Sequence, residues 1–174
     1  QDFMVVCSGA TSFAQALEWT AEVYRHAGLL MAQRGSMFGV ADEGGWWPDF
    51  SSNEQALEML VLAIERAGFI PGEQVAIALD IAASEFGRQG QYRLGLDSQE
   101  LDSDGMIEML LRWVEKYPIV SIEDPLAEDD TVGFSRFTKA IGHRLQIVGD
   151  DFLVSNSTLI REAAKLGAAN TVLL

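Results

Sequence analysis

One apolar run in this chain ends in a carboxylate and a proline: residues 119–125 read IVSIEDP, with Glu123 at the tip. Two further apolar runs also end in a carboxylate, at Asp80 and at Asp150. Short segments that are apolar throughout are typical of strands buried on both faces of a parallel sheet, and such sheets present functional groups at their C-terminal ends. We therefore expect Asp80, Glu123 and Asp150 to meet at one rim of the sheet.

Helical periodicity alternates with these strand-like runs along the chain. The apolar spacing predicts helices over residues 11–33, 54–67, 104–116, 129–140 and 157–166. A capping box formed by Ser51 and Glu54 begins the second of them. The predicted strands cover residues 2–6, 38–41, 75–79, 119–122, 145–148 and 171–174. This alternation predicts an α/β fold with a parallel sheet covered on both faces.

The number of strands favours a barrel that is not complete. A closed TIM-type barrel has eight strands and takes roughly 200 to 250 residues, whereas this chain of 174 residues supplies about six candidates. We expect residues 1–174 to be one partial barrel domain, a fragment truncated at both ends. An open parallel sheet is the structural alternative.

Composition limits the possible partners and compartment. The chain has 26 acidic and 12 basic residues, for a formal charge of −14, which argues against nucleic acid and anionic membrane surfaces as partners. It contains no apolar stretch of roughly 18 residues, the minimum for a membrane span. The single cysteine, Cys7, forms no internal disulfide, which is compatible with a reducing cytoplasm. We therefore expect a cytoplasmic protein with neither nucleic acid nor a membrane surface as its partner.

The three strand-end carboxylates predict a metal site. Two carboxylates about 5 Å apart repel by about 3 kcal/mol at an effective dielectric constant near 20, so such a cluster needs a cation or shared protons. Oxygen ligands without histidine or cysteine favour a hard ion, and Mg²⁺ fits three carboxylates better than zinc does.

A second acidic feature is the turn formed by residues 41–45, ADEGG. Two glycines beside Asp42 and Glu43 let the backbone turn sharply and bring a carboxylate close to a ligand. Asp, Glu and Gly are also common in ordinary loops, so the turn by itself leaves both interpretations open.

Taken together, the motifs resemble those of the enolase family. They are QDFM (residues 1–4), ADEGG (41–45), LDIAASEF (79–86), SIEDP (121–125) and VGDD (148–151), in the family's order and spacing. The resemblance implies a lyase of glycolysis, phosphopyruvate hydratase, which interconverts 2-phosphoglycerate and phosphoenolpyruvate. It implies that Asp80, Glu123 and Asp150 bind Mg²⁺, that Glu43 is the general acid, and that Gln1 contacts the substrate. It also implies a homodimer or larger assembly.

Two positions depart from the family pattern. Asp2 stands where the family usually has a glutamate that assists the acid, and its side chain is one methylene shorter. Ala41 stands where a glycine usually precedes the Asp-Glu pair. Two alternative functions therefore remain: another enolase-superfamily lyase or isomerase that shares the metal ligands, and a non-catalytic homologue that acts as a binding protein.

The resemblance also yields a prediction for the isolated chain. The family's catalytic base is a lysine that would follow Leu174 directly, so this chain ends before it. We expect the purified 174-residue chain to show no measurable dehydration of 2-phosphoglycerate when phosphoenolpyruvate is followed by its absorbance. Turnover by the isolated chain would refute this placement of the base.

Overall fold

The computed structural model describes residues 1–96 and 99–174, which form two compact units. Unit 1 comprises residues 1–4 and 77–174, and unit 2 comprises residues 5–76. The strands are β1 (Asp2–Val6), β2 (Met37–Val40), β3 (Trp46–Pro48), β4 (Ala76–Asp80), β5 (Gly87–Arg88), β6 (Gln91–Arg93), β7 (Glu100–Asp102), β8 (Ile119–Glu123), β9 (Gln146–Gly149) and β10 (Thr171–Val172). The helices are α1 (Phe13–Arg34), α2 (Asn53–Arg66), α3 (Ser103–Lys116), α4 (Thr131–Ile141) and α5 (Ser157–Leu166).

The main sheet has five strands in the order β1-β4-β8-β9-β10. The pairs β4–β8, β8–β9 and β9–β10 are parallel, as the apolar runs predict. The interiors of β4 and β9 are almost fully buried, and Ile77 and Ile147 are completely inaccessible to solvent. In the described residues the sheet is open, with β1 and β10 at its edges.

The first strand does not follow the expected parallel direction. The N–H of Gly9, beyond the end of β1, donates to the carbonyl of Gln74, just before β4 (3.0 Å). Asp2, at the start of β1, lies close enough to Asp80, at the end of β4, to raise its pKa. Later residues of the β1 segment therefore lie beside earlier residues of the β4 segment, so the two strands run antiparallel. The main sheet is mixed rather than all parallel.

The strand predicted over residues 38–41 forms, but it lies outside the main sheet. It is β2, and it pairs with β3 as an antiparallel hairpin. The reason is the short connection: an antiparallel partner needs only a tight turn, whereas a parallel partner needs a crossover of a dozen or more residues. The described main sheet therefore has five strands rather than about six.

The five predicted helices are present, and each end lies within two residues of its predicted position. One predicted capping residue differs. The expected capping residue Ser51 is wrong: Ser52 is the N-cap of α2, and its hydroxyl accepts a hydrogen bond from the N–H of Gln55. Gln55 in turn accepts from the N–H of Ser51 through its side-chain oxygen (3.1 Å). The N-cap therefore lies one residue later than predicted, and the Gln55 side chain bonds the residue before the N-cap rather than the N-cap itself.

Strands β5, β6 and β7 form a small antiparallel sheet between β4 and α3, and Asp130 attaches it to the segment after β8. The Asp130 carboxylate accepts hydrogen bonds from the hydroxyls of Tyr92 (2.8 Å) and Ser103 (2.5 Å), and it caps α4 through the N–H of Gly133. Tyr92 is 2% exposed and accepts from the buried N–H of Ala127. Buried polar groups of this small sheet are thus satisfied across the chain rather than locally.

No helix in the described part of the chain is both long enough and apolar enough to cross a membrane.

Candidate functional site

Strand register brings the three predicted carboxylates to one rim of unit 1. In the β4–β8 pair Asp80 lies opposite Glu123, and in the β8–β9 pair Glu123 lies opposite Val148, two residues before Asp150. Paired residues on neighbouring strands point to the same face, and residues two apart along a strand also share a face. Asp80, Glu123 and Asp150 therefore follow one another across three adjacent strand ends, all partly exposed.

The carboxyl groups of Glu123 and Asp80 hold their protons more tightly than usual, because they are partly buried and lie near other carboxylates. Burial, together with repulsion from Asp80, Asp124 and Asp150, raises the pKa of Glu123 to about 7. Burial also raises the pKa of Asp80, although the N–H of Ala82 donates to its carboxylate (2.9 Å) and partly opposes the shift. The rim therefore favours protons or a cation over free carboxylates.

The antiparallel direction of β1 brings the start of the chain to the same rim. Asp2 is the first residue of β1 and is exposed, and its charge contributes to the raised pKa of Asp80. Gln1 directly precedes it and is also exposed. The structure thus places Asp2 beside one of the predicted metal ligands, with Gln1 adjacent in the chain.

Asp124 is a residue of the site to which the sequence analysis gave no role. Only 2% of it is exposed, and its carboxylate accepts hydrogen bonds from the N–H groups of Asp150 (3.1 Å) and Asp151 (2.8 Å). Its N–H donates to the carbonyl of Val148 (3.0 Å), and its carbonyl accepts from the N–H of Ala83 (3.2 Å). Asp124 therefore ties together the ends of β4, β8 and β9. Its place directly after the strand-end carboxylate of Glu123 is the signal in the sequence that could have pointed to it.

Burial of the Asp124 carboxylate makes its charged form less stable. Burial raises its pKa to about 6, although hydrogen bonds from the N–H groups of Asp151, Asp150 and Phe152 lower it. Desolvation outweighs these donors because the group is nearly inaccessible to water. The interaction fixes the backbone that carries Asp150 more than it stabilises the charge.

Backbone strain is concentrated just beyond the three carboxylates. Ala82, Asp124 and Val154 have positive φ angles of 48°, 39° and 42°. They follow the carboxylates at Asp80, Glu123 and Asp150 within a few residues. Left-handed backbone at a residue other than glycine costs about 1–3 kcal/mol and persists where surrounding contacts impose it, often at functional sites.

The donor chemistry fits a hard divalent cation, while the side chains are not gathered around a common point. Among residues 1–96 and 99–174, no three His, Cys, Asp or Glu side chains are placed so that they could hold a metal ion as they stand. The register sets Asp80, Glu123 and Asp150 on neighbouring strand ends, and only oxygen donors are present among them. A cation at this rim would offset both the burial and the like-charge repulsion that raise the pKa of Glu123.

Glu43 lies in unit 2, in the turn between β2 and β3. The turn is closed by hydrogen bonds from the N–H of Ala41 to the carbonyl of Gly45 (2.8 Å) and from the N–H of Gly44 to the carbonyl of Ala41 (2.9 Å). Gly44 has a φ of 90°, a conformation that glycine adopts without a steric penalty. The Glu43 side chain is exposed in this turn.

Comparison with known families agrees with this architecture. The family model described as "Enolase, C-terminal TIM barrel domain" matches residues 1–174, the whole chain. The match confirms the α/β barrel class and identifies the open five-stranded sheet as part of a barrel rather than as a complete open sheet.

The raised pKa of Glu123 predicts a dependence of stability on pH. Because the folded state holds this proton more tightly than the unfolded chain, the contribution of Glu123 to the free energy of unfolding falls as pH rises from about 4.5 to about 7. We expect Glu123→Gln to melt at a higher temperature than the unsubstituted chain at pH 8, in the presence of a chelator, with a smaller difference at pH 5. Thermal melts followed by circular dichroism measure this.

The matched control for Glu123 is Glu162→Gln, on the exposed side of α5, which we expect to leave the pH dependence unchanged. A Glu123→Gln variant that is no more stable than the unsubstituted chain at pH 8 would contradict the assigned repulsion.

The hydrogen bonds of Asp124 predict a specific loss of stability. In Asp124→Asn one carboxylate oxygen becomes an NH₂ group that faces the backbone N–H of Asp150 or Asp151, so a buried acceptor is lost. We expect the free energy of unfolding to fall by about 1–3 kcal/mol in urea titrations. Asp151→Asn, a change of the same size at an exposed neighbour, should have little effect. Equal losses in the two variants would contradict the role assigned to the hydrogen bonds of Asp124.

Proposed function

This chain belongs to the family of enolase C-terminal TIM barrel domains, and we propose that it contributes the metal ligands and the general acid of an Mg²⁺-dependent lyase. The proposed reaction is the reversible dehydration of 2-phosphoglycerate to phosphoenolpyruvate, a step of glycolysis. The observation that carries the proposal is the register of β4, β8 and β9, which sets Asp80, Glu123 and Asp150 side by side at one rim.

Three carboxylates would hold the cation in this proposal: Asp80, Glu123 and Asp150. When bound, Mg²⁺ supplies positive charge beside the substrate carboxylate, where removal of the neighbouring proton builds up an enediolate. The carboxylates themselves set the position, because their backbone is fixed by strand pairing and by the Asp124 tie. Loss of a ligand should therefore weaken both metal binding and turnover.

The remaining proposed roles belong to residues that handle the substrate and the leaving group. Glu43 donates a proton to the C3 hydroxyl, so that the oxygen leaves as water, and recovers a proton from water in the reverse direction. Asp2 assists near the leaving hydroxyl with a side chain one methylene shorter than the usual glutamate. Gln1 hydrogen-bonds the substrate through its amide. These three side chains are exposed, as contact with a substrate requires.

The proposed function also includes a substrate class, a compartment and an oligomeric state. The substrate is a small phosphorylated carboxylate, the compartment is the cytoplasm, and the complete protein assembles as a homodimer or larger oligomer. Because the described sheet is only part of a barrel, the tests below use the full-length protein that contains this segment.

The test compares three variants of that full-length protein. We expect Glu43→Gln to lower kcat about 100- to 10,000-fold, as removal of a general acid does, with little change in Mg²⁺ affinity. We expect Asp150→Asn to weaken Mg²⁺ binding at least about tenfold, since even partners of metal ligands have effects of this size. Phosphoenolpyruvate absorbance reports turnover, and calorimetric titration with Mg²⁺ reports affinity. Glu162→Gln is the exposed control.

The outcomes separate the rival functions. Unchanged Mg²⁺ affinity in Asp150→Asn overturns the proposed metal site. Metal binding that depends on Asp150, without turnover of 2-phosphoglycerate but with turnover of another carboxylate substrate, indicates a different enolase-superfamily lyase or isomerase. Absence of turnover on any such substrate indicates a non-catalytic binding homologue.

A further inference from the structure

The hairpin that carries the Glu43 turn is too small to hold its own shape. Strand β2 has four residues and β3 has three, and an isolated two-stranded hairpin is at best marginally stable in water. The turn at residues 41–45 projects into solvent, with Asp42 and Glu43 exposed. Something outside the hairpin must therefore fix its direction.

Two aromatic residues of unit 2 form that attachment. The hydroxyl of Tyr24, in the middle of α1, donates to the carbonyl of Gly44 (2.7 Å), the residue directly after Glu43. The indole N–H of Trp46 donates in the opposite sense, to the backbone carbonyl of Tyr24 (2.8 Å). The two rings stack with centroids 4.6 Å apart and an angle of 17° between their planes. We call this pair, Tyr24 and Trp46, the aromatic latch.

The latch is seated closely on the helix. A Cβ atom added to Gly28 would lie 2.6 Å from Cζ2 of Trp46, so only glycine at this position lets the indole approach α1 so closely. Trp46 is partly buried, whereas its neighbour Trp47 is 60% exposed. The hairpin thus rests on α1 through one side chain of its tryptophan pair.

The hydrogen bonds of the aromatic latch fix the direction of the hairpin on α1, which burial of the rings alone would not do. Tyrosine and tryptophan combine an apolar ring with one hydrogen-bonding group, and here both groups bond to backbone carbonyls on either side of the hairpin–helix contact. Tyr24 remains 40% exposed, so its placement is not that of a core residue. Its hydroxyl donates to the turn that carries Glu43.

We propose that Tyr24 and Trp46 are positioning residues that hold the 41–45 turn on α1 and thereby aim the carboxylate of Glu43. The inference rests on the proposed role of Glu43 as the general acid. Tyr24 acts through the carbonyl of Gly44 and Trp46 acts through the carbonyl of Tyr24 and the ring stack. Neither touches the substrate in this scheme.

The test is a double-mutant cycle in the full-length protein, with kcat and KM measured on 2-phosphoglycerate. Tyr24→Phe retains the stacked ring and removes the hydrogen bond to Gly44. We expect it to lower kcat about tenfold to a hundredfold, because a small misplacement of a catalytic group has effects of this size, while KM changes less than threefold. In a Glu43→Gln background the same change should lower kcat no further, because the group that it aims is already lost.

Two further variants complete the cycle. Trp46→Phe keeps a ring against Gly28 and removes the indole donor. It should lower kcat as Tyr24→Phe does, and it replaces that variant in the cycle if Tyr24→Phe fails to fold. Trp47→Phe changes the exposed neighbour of Trp46 in the same hairpin and should leave kcat unchanged.

The outcomes distinguish the latch from the function on which it depends. A loss from Tyr24→Phe that persists undiminished in the Glu43→Gln background overturns the latch, since the effect would then not pass through Glu43. Full activity of Tyr24→Phe overturns it as well. Full activity of Glu43→Gln itself overturns the proposed acid, and the latch with it.

Discussion

The buried carboxylate of Asp124 is the interaction on which the rim of unit 1 depends. It binds the backbone N–H groups after β9, while the main-chain atoms of the same residue bond to the segments around β4 and β9. One residue thus joins the ends of three strands. The side chains of Asp80, Glu123 and Asp150 remain partly exposed, at strand ends whose backbone is held by strand pairing and by the bonds of Asp124.

This arrangement concentrates unfavourable energy at the rim. Burial and like charges raise the pKa of Glu123, and burial raises that of Asp124. Ala82 and Val154 adopt left-handed backbone. The buried strands below, with Ile77 and Ile147 fully enclosed, supply the hydrophobic stabilisation that offsets these costs. A stable layer of strands that supports a strained and charged edge is the usual division of labour in α/β barrels.

Sequence patterns predicted the parts of this structure that depend on local periodicity. The carboxylates at the ends of β4 and β8 and the five helices follow from short-range spacing, and the parallel register of neighbouring strands then brings Asp80 beside Glu123. The antiparallel direction of β1 and the separate β2–β3 hairpin did not follow, because an apolar run has the same appearance whichever partner it pairs with. The role of Asp124 also escaped prediction, since its burial and its hydrogen bonds come from chain segments more than 20 positions away.

The reversed direction of β1 has a consequence for how this rim can diverge. A strand that begins at the rim presents its first side chain there, so Asp2 reaches the rim without belonging to the series of strand ends that carries Asp80, Glu123 and Asp150. Exchange of glutamate for aspartate at this position shortens one arm and leaves the register of the other strands untouched. Substitution at the start of β1 can therefore change the charge and reach of one side chain at the rim while the positions of the other three carboxylates are retained.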